Sequence, residues 1–524
     1  MCGPDLLRRP VSWQCDRVHT DDVDTALRSR RDHWVTHVAR HARQQPHGVA
    51  LRFAGASTTW ADLARRSGAL ADALHRRGVR PGDRLALLMT NRPEYVEALV
   101  AATALGAISV PVNFRLTPPE LAHVLADSGA RLVVVDPELA PLLDPAIEQL
   151  ATGAEYEAAL AEDGDAHPPV DVPEDSPALI MYTSGTTGNP RGAVLTHTNL
   201  AQQSLTLVRG WQLVDDDAIT FCASPMFHIA AVGGIAPLLL VGGTTIIHPS
   251  GAFDPVAVLD ALERERVTGV FLVPAQWQAV CAVPGVQARD LALRVMSWGA
   301  APATDTLLRR MAEVFPGVVN VAVFGQTEMS PVTCLLQGRD ALRKLGSVGR
   351  PVSSVQVRVV DPLMQDVVPG EVGEIVYRRP TLMQGYWGNP EATAQAFAGG
   401  WFHSGDLVRV DEEGFVFVVD RLKDMIITGG ENVYCAEVEN VLAAHPGVVE
   451  VAVIGRPDER WGETPVAVLV GVDGADLSLA AVREWCRPRL AGYKLPSDVV
   501  LLEALPRNAS GKVVKGALRT AHGC

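Results

Sequence analysis

Ile180-Met-Tyr-Thr-Ser-Gly-Thr-Thr-Gly-Asn-Pro-Arg-Gly192 is the stretch on which the reading of this chain turns. Three hydroxyl side chains (Ser184, Thr186, Thr187) and two glycines (Gly185, Gly188) stand between an apolar run and a proline. Ala178–Tyr182 is short and apolar, which predicts a buried strand ending at Thr183. The loop beyond it offers backbone N–H groups, hydroxyl donors and one cation, Arg191. Glycines let a backbone approach closely, and amides and hydroxyls bind phosphate oxygens, so the composition suits a polyphosphate. The loop is not a Walker A motif, which needs Gly-Lys followed by Ser or Thr; no such run occurs in the chain. Taken alone, the stretch also fits a polar turn between two strands.

The chain has 524 residues, too many for one compact core, so several domains are expected. With 48% hydrophobic and 20% charged residues it is globular rather than disordered. A formal charge of −14 makes it a poor general binder of nucleic acid or anionic membrane. Eight scattered cysteines without a C-x-x-C pair suit reduced thiols in a cytoplasmic protein, not a disulfide framework or a zinc site. No hydrophobic signal segment is seen near the N-terminus. Ile229–Ile247 is uncharged over nineteen residues, long enough in principle to span a membrane. Its glycines and Pro237 predict instead a buried helix, a turn and a strand. His33, His37 and His41 recur every four residues in a helix expected over His33–Arg43. Such a face could bind metal, but without an acidic or cysteine partner nearby it reads as the polar surface of an amphipathic helix.

From Ala50 onward short apolar runs alternate with helical stretches: strands at Arg84–Met89, Ala107–Pro111 and Leu132–Val135, helices at Pro93–Leu105 and Pro118–Ser128. This alternation predicts an α/β fold with mainly parallel sheets. Residues 140–175 look like a variable connection, and Thr198 is a candidate cap for the helix after Gly192–Thr196. Val355–Val360 and Gly373–Tyr377 read as antiparallel strands of a smaller β subdomain. The pattern changes near Asp420. The expected division is a large N-terminal domain at 1–420, a hinge at 421–425 and a small mobile α+β domain at 426–524.

Five further segments carry chemistry. Ser297-Trp-Gly-Ala-Ala-Pro302 is a strand-end turn of small residues, able to lie against a flat heterocycle. Phe324-Gly-Gln-Thr-Glu328 gathers an aromatic, an amide, a hydroxyl and a carboxylate at one strand end. Ser404-Gly-Asp406 puts a carboxylate in a tight turn, suited to a ribose diol. Asp420-Arg-Leu-Lys-Asp424 is a charged hinge, and Arg507-Asn-Ala-Ser-Gly-Lys512 places one lysine in a C-terminal turn. Each alone is weak, because a charged turn is usually just solvated.

All six in this order resemble the adenylate-forming superfamily of acyl-CoA synthetases, adenylation domains and luciferases, over about residues 35–519. Gly299-Ala-Ala-Pro302, Trp401–Asp406 and Asp424–Asn432 look most like actinobacterial long-chain fatty-acid–CoA ligases. The resemblance implies an enzyme using ATP, Mg²⁺ and CoA. A carboxylate attacks the α-phosphate to give acyl-AMP and pyrophosphate, and the CoA thiol then attacks the acyl carbon after the small domain rotates. It implies that Thr183, Ser184, Gly185, Thr186, Thr187 and Gly188, with Arg191, hold the β- and γ-phosphates. Glu328 and Thr183 are the implied Mg²⁺ ligands. Gly299, Ala300, Ala301, Pro302 and Phe324 would sandwich the adenine, with Gly325, Gln326 and Thr327 beside it. Asp406 would accept the ribose hydroxyls next to Arg421, and Lys512 would bridge the substrate carboxylate and the α-phosphate. Lys423 matches the family's hinge; Gly429, Gly430 and Glu431 would line the thiol's path; His228 would gate the acyl site, its alternative being a packed core histidine.

Four positions depart from the family pattern: Arg191 stands for the more usual Lys, Phe324 for Tyr, Ser404 for Thr and Cys435 for Pro. None removes an essential charge. An amino-acid adenylation enzyme would place an Asp near His228 to pair an ammonium, and Pro225-Met-Phe-His-Ile-Ala-Ala has none. A fatty-acyl-AMP ligase or an enzyme loading a carrier protein is a nearer alternative. A non-catalytic lipid-binding protein would not require both Glu328 and Lys512. The apolar, glycine-paired Ile229–Ile235 run suits a medium- to long-chain fatty acid, with aryl acids as the alternative. The expected partners are a small carboxylic acid, ATP and CoA. No nucleic acid and no transmembrane segment are expected; peripheral membrane contact stays open, as does a monomer or homo-oligomer.

Overall fold

A computed structural model describes residues 31–162, 169–183, 190–213, 217–507 and 513–523. Two large sheets organise the N-terminal four-fifths. The seven-stranded sheet has the order Gly385–Tyr386, Arg191–Thr196, Pro177–Thr183, Ile108–Pro111, Arg84–Leu88, Ala130–Val135, Gln149–Ala151. The nine-stranded sheet runs Arg350–Pro351, Cys334–Leu336, Val319–Phe324, Val295–Gly299, Gly269–Leu272, Ile219–Cys222, Thr244–Ile247, Val49–Phe53, Ala56–Thr59. The central strands of both are parallel. Period-two burial explains the layering. Leu85 and Leu87 join the core shared with the other large sheet, while Ala86 and Leu88 pack with Leu121 and Val124 on the opposite side. In the second sheet Cys222 and Ile247 face the shared core, and Phe221 and Ile246 face the outer helices. The helices Trp60–Arg76, Pro93–Leu105, His197–Gly210 and Ile229–Val241 fill the space between the sheets.

A third sheet of four antiparallel strands, Gln356–Val360, Val372–Arg378, Phe402–Val410 and Val416–Arg421, forms the expected β subdomain. Strand membership changes directly after it. Ile426–Thr428 already belongs to a five-stranded sheet with Glu431–Val433, Gly462–Gly471, Val448–Asp458 and Asp498–Leu501. That sheet and its helices bury two cores of their own, drawn only from residues beyond 425.

Three expectations need correction. The cap of the His197–Gly210 helix is Thr196, whose hydroxyl accepts the Asn199 N–H; Thr198 lies inside the helix and donates to the Glu174 carbonyl. The 140–175 connection contributes a strand, Gln149–Ala151, to the seven-stranded sheet, and a helix, Ala154–Ala161. The histidine face of Trp34–Gln44 is not a polar surface. His33, His37 and His41 are all buried, His41 Nε2 lies 3.1 Å from the Leu239 carbonyl, and His33 stacks on His197 at 4.0 Å. Among the described residues no three His, Cys, Asp or Glu side chains are grouped to hold a metal. The uncharged Ile229–Ile247 run is a helix (Ile229–Val241), a left-handed Gly242 and a strand. No described helix is long and apolar enough to cross a membrane.

Candidate active site

The phosphate-type loop is anchored by a hairpin. Pro177–Thr183 and Arg191–Thr196 pair antiparallel with Thr183 opposite Arg191, and the Thr183 hydroxyl donates to the Arg191 carbonyl at 3.4 Å. Ser184, Gly185, Thr186, Thr187 and Gly188 lie outside the described residues, as does Lys512. On the outer side of the hairpin the two-residue strand Gly385–Tyr386 pairs with Val194 and Ala193. This brings the Tyr386 ring 5.7 Å from the Arg191 guanidinium carbon, a cation–π geometry.

Tyr386 also connects the loop to Glu328. Its hydroxyl donates to Glu328 Oε1 at 3.1 Å. Glu328 is buried in a short turn, Thr327–Met329, that follows the Val319–Phe324 strand. The backbone there is tightly fixed. Glu328 accepts the Met383 N–H at 2.7 Å, and Phe324 accepts the Thr333 N–H at 2.8 Å. Gly325 has no room for a side chain, since a Cβ would lie 1.9 Å from the Pro331 carbonyl oxygen. The sequence did not single out Tyr386; burial and the neighbouring carboxylate push its phenol well above the ordinary value.

The strand ends Val295–Gly299 and Val319–Phe324 lie side by side, with Gly299 opposite Val323. A Cβ on Gly299 would meet the Val323 carbonyl oxygen at 2.2 Å. The exposed turn Ala300-Ala301-Pro302 therefore leaves the sheet beside the half-buried Phe324, and Ala300 sits at φ 65°, a left-handed conformation an alanine rarely adopts. The Gln326 side-chain nitrogen is buried without a hydrogen-bond partner.

Asp406 and Arg421 face each other across the antiparallel strands Phe402–Val410 and Val416–Arg421. Arg421 Nε lies 2.6 Å from Asp406 Oδ1, and Asp406 is buried while Arg421 is exposed. Asp420, one residue earlier, accepts the Cys435 N–H at 2.5 Å, so the last strand of the β subdomain caps a helix of the C-terminal sheet. Burial raises the Asp420 carboxyl to about 6. Lys423 is exposed, and partial desolvation lowers its ammonium. Cys435 is buried, its thiol pushed up to about 12 chiefly by that burial, so it is not a nucleophile. Gly429 and Gly430 form the left-handed tip of the hairpin joining Ile426–Thr428 to Glu431–Val433, with Glu431 exposed.

His228 is the N-cap residue of the Ile229–Val241 helix and lies 4.7 Å, ring to ring, from Phe227. Beneath that helix is a narrow pocket, with a free volume of about 20 Å³, lined by Trp211, Cys222, Ala230, Ala231, Gly234, Ile235 and Phe271, among others. Phe271, one of its lining residues, lies close to Gly299, its Cε2 3.4 Å from where a Gly299 Cβ would be.

A buried carboxylate linked through Tyr386 to Arg191, at the end of a glycine-rich phosphate-type sequence, and an Asp–Arg pair suit the binding of a nucleotide. The chain belongs to the AMP-binding enzyme family: the family's model matches residues 38–387, and that of its C-terminal domain residues 437–512. A feruloyl-CoA synthase from Amycolatopsis sp is 46% identical over 489 residues, 92% of this chain and 98% of that protein. A long-chain-fatty-acid–CoA ligase from Mycobacterium tuberculosis is 38% identical over 473 residues, 88% of this chain and 92% of that one. The crystal structure of ATP-bound MatB from Rhodopseudomonas palustris matches with TM-score 0.86 at 33% identity, covering 93% of this chain and 99% of that chain.

Proposed function

We propose that this protein is an ATP-dependent, AMP-forming acyl-CoA ligase, and that its acid is compact and flat, of the aryl or aryl-alkenoic kind. The observation that carries the substrate reading is the pocket under Ile229–Val241. It is narrow, with a free volume of about 20 Å³. Trp211 and Phe271 give its lining two aromatic rings, and Ala231 and Gly234 add little bulk. The 46% identity to a feruloyl-CoA synthase supports the same reading. A medium- to long-chain fatty acid is the second reading, favoured by the 38% relative and by Ile235 and the alanines in the lining.

The first step joins a carboxylate oxygen to the α-phosphorus and expels pyrophosphate. In the second, the thiol sulfur adds to the acyl carbon and AMP leaves. Both partners of the first step are anionic, so positioning and charge neutralisation must supply most of the acceleration. In this reading Thr183, Arg191 and the loop between them hold the departing pyrophosphate. Glu328, with the Thr183 hydroxyl, would hold Mg²⁺, which offsets phosphate charge; a single buried carboxylate completed by phosphate oxygens and water suits that ion. Gly299–Pro302 and Phe324 hold the adenine and Asp406 the ribose. Lys512 neutralises charge at the α-phosphate, and rotation about Lys423 presents Gly429–Glu431 to the thiol.

Pyrophosphate release and CoA consumption, measured in parallel over cinnamate-, benzoate-, hexanoate- and palmitate-type acids, test this reading. The expected result is equal release and consumption with an aryl acid, at a kcat/KM roughly tenfold or more above palmitate. Palmitate leading the series would install the second reading. Silence with every acid would remove both.

A further inference from the structure

The turn that displays Asp406 is a β-bulge. Glu374 pairs with Leu407 and Val376 with His403, so Ser404, Gly405 and Asp406 together stand opposite Ile375 alone. Extra residues in one strand bend it, take backbone groups out of the ladder and re-aim a side chain beside a site. The Ser404 hydroxyl donates to the Ile375 carbonyl at 2.5 Å and accepts the Asp406 N–H at 3.0 Å. Gly405, left-handed at φ 70°, is gripped on both sides. Its N–H donates to Glu374 Oε1 at 2.9 Å, and its carbonyl accepts the Leu422 N–H at 2.9 Å. The second Glu374 oxygen, Oε2, lies 2.7 Å from His403 Nδ1. One carboxylate, its side chain only 15% exposed, therefore ties the start of the bulge to its tip. A backbone N–H donating to a carboxylate makes a bond about twice as strong as a neutral one.

We infer that Glu374 is a positioning residue for the nucleotide sugar. By holding the Gly405 N–H it fixes the Ser404–Asp406 bulge, and with it the direction of the Asp406 carboxylate. Asp406 is buried and already held at Oδ1 by Arg421 Nε, 2.6 Å away. Hydrogen bonds weaken steeply with angle, so a carboxylate swung by a relaxed bulge loses its grip on the sugar hydroxyls. Glu374 thus sets, through Asp406 and without touching the nucleotide, the preference for a ribose over a deoxygenated sugar. This inference rests on the reading of Asp406 as the acceptor of the ribose hydroxyls.

The test measures pyrophosphate release with ATP and with 2′,3′-dideoxy-ATP, using the acid that is activated fastest. In the wild-type enzyme kcat/KM for ATP is expected to exceed that for the dideoxy nucleotide about ten- to a hundredfold, the value of hydrogen bonds to a charged acceptor. Glu374→Met fills much the same space without an acceptor, and is expected to bring the ratio below about threefold by lowering the value for ATP. Glu374→Gln keeps an amide oxygen for the Gly405 N–H, and is expected to stay within about threefold of the wild-type ratio. Each ratio compares two nucleotides on one preparation, so a loss of folded protein cancels; Glu374→Ala gives the same reading if Glu374→Met does not fold. A wild-type ratio kept in Glu374→Met or Glu374→Ala overturns the inference. So does a ratio in Glu374→Gln that falls as far as in Glu374→Met, because the charge and not the bond to Gly405 would then be decisive. Equal values for the two nucleotides in the wild type would instead remove the ribose reading of Asp406, which is a separate outcome.

Discussion

Glu328 and Tyr386 show how one hydrogen bond shapes the site. A buried carboxylate that is to hold a cation must present its oxygens in one orientation, and the Tyr386 hydroxyl at 3.1 Å fixes Oε1. Tyr386→Phe is therefore expected to lower adenylation about tenfold, within the 10–100-fold typical of losing such a partner, and to raise the Mg²⁺ concentration needed for half-maximal rate. A rate that falls with no shift in Mg²⁺ dependence would give the tyrosine a packing role only. Glu328, Asp406 and Arg421 were legible in the sequence because each stands in a short motif next to the turn that displays it. Tyr386 was not, since a two-residue strand delivers it to the loop from nearly two hundred residues away.

At the scale of elements, the Trp34–Gln44 helix is the clearest case of a pattern with two meanings. A four-residue histidine spacing selects one helix face but does not say whether that face meets water or protein. Here it meets the Ile229–Val241 helix and the start of His197–Gly210. Burial holds His197 at about 3 and lowers His33 and His41 as well. A base whose pKa is depressed on folding contributes stability that is complete above its unfolded value, near 6.5, and is lost as pH falls towards the folded value. His197 alone is expected to impose a slope of up to about 1.4 kcal/mol per pH unit below that point. In His197→Phe, which keeps a ring against His33, the drop in urea midpoint between pH 7 and pH 5 should be smaller than in the wild type; parallel drops would contradict this. The regular strands and helices were readable to within a residue or two because their apolar periods are long. Gln149–Ala151 escaped notice because three residues carry too little pattern.

At the scale of the whole molecule, the two central parallel sheets bury one shared core and place their strand ends beside the loops that carry the site. Sheet membership changes between Arg421 and Ile426, and separate cores lie beyond that point. Asp420 of the last β-subdomain strand accepts the Cys435 N–H across that boundary, and Asp424 within the linking segment pairs with Arg519. What the amino-acid pattern left undecided at this scale was the acid, because pocket depth depends on side chains that meet only in the fold. The central claim is that the acid's own carboxylate attacks the α-phosphate. An aryl acid labelled with ¹⁸O in both carboxylate oxygens, turned over with ATP and CoA, tests it by mass spectrometry of the products. The account predicts AMP carrying one ¹⁸O and unlabelled pyrophosphate. Unlabelled AMP, or ¹⁸O in inorganic phosphate with ADP as the nucleotide product, would contradict it.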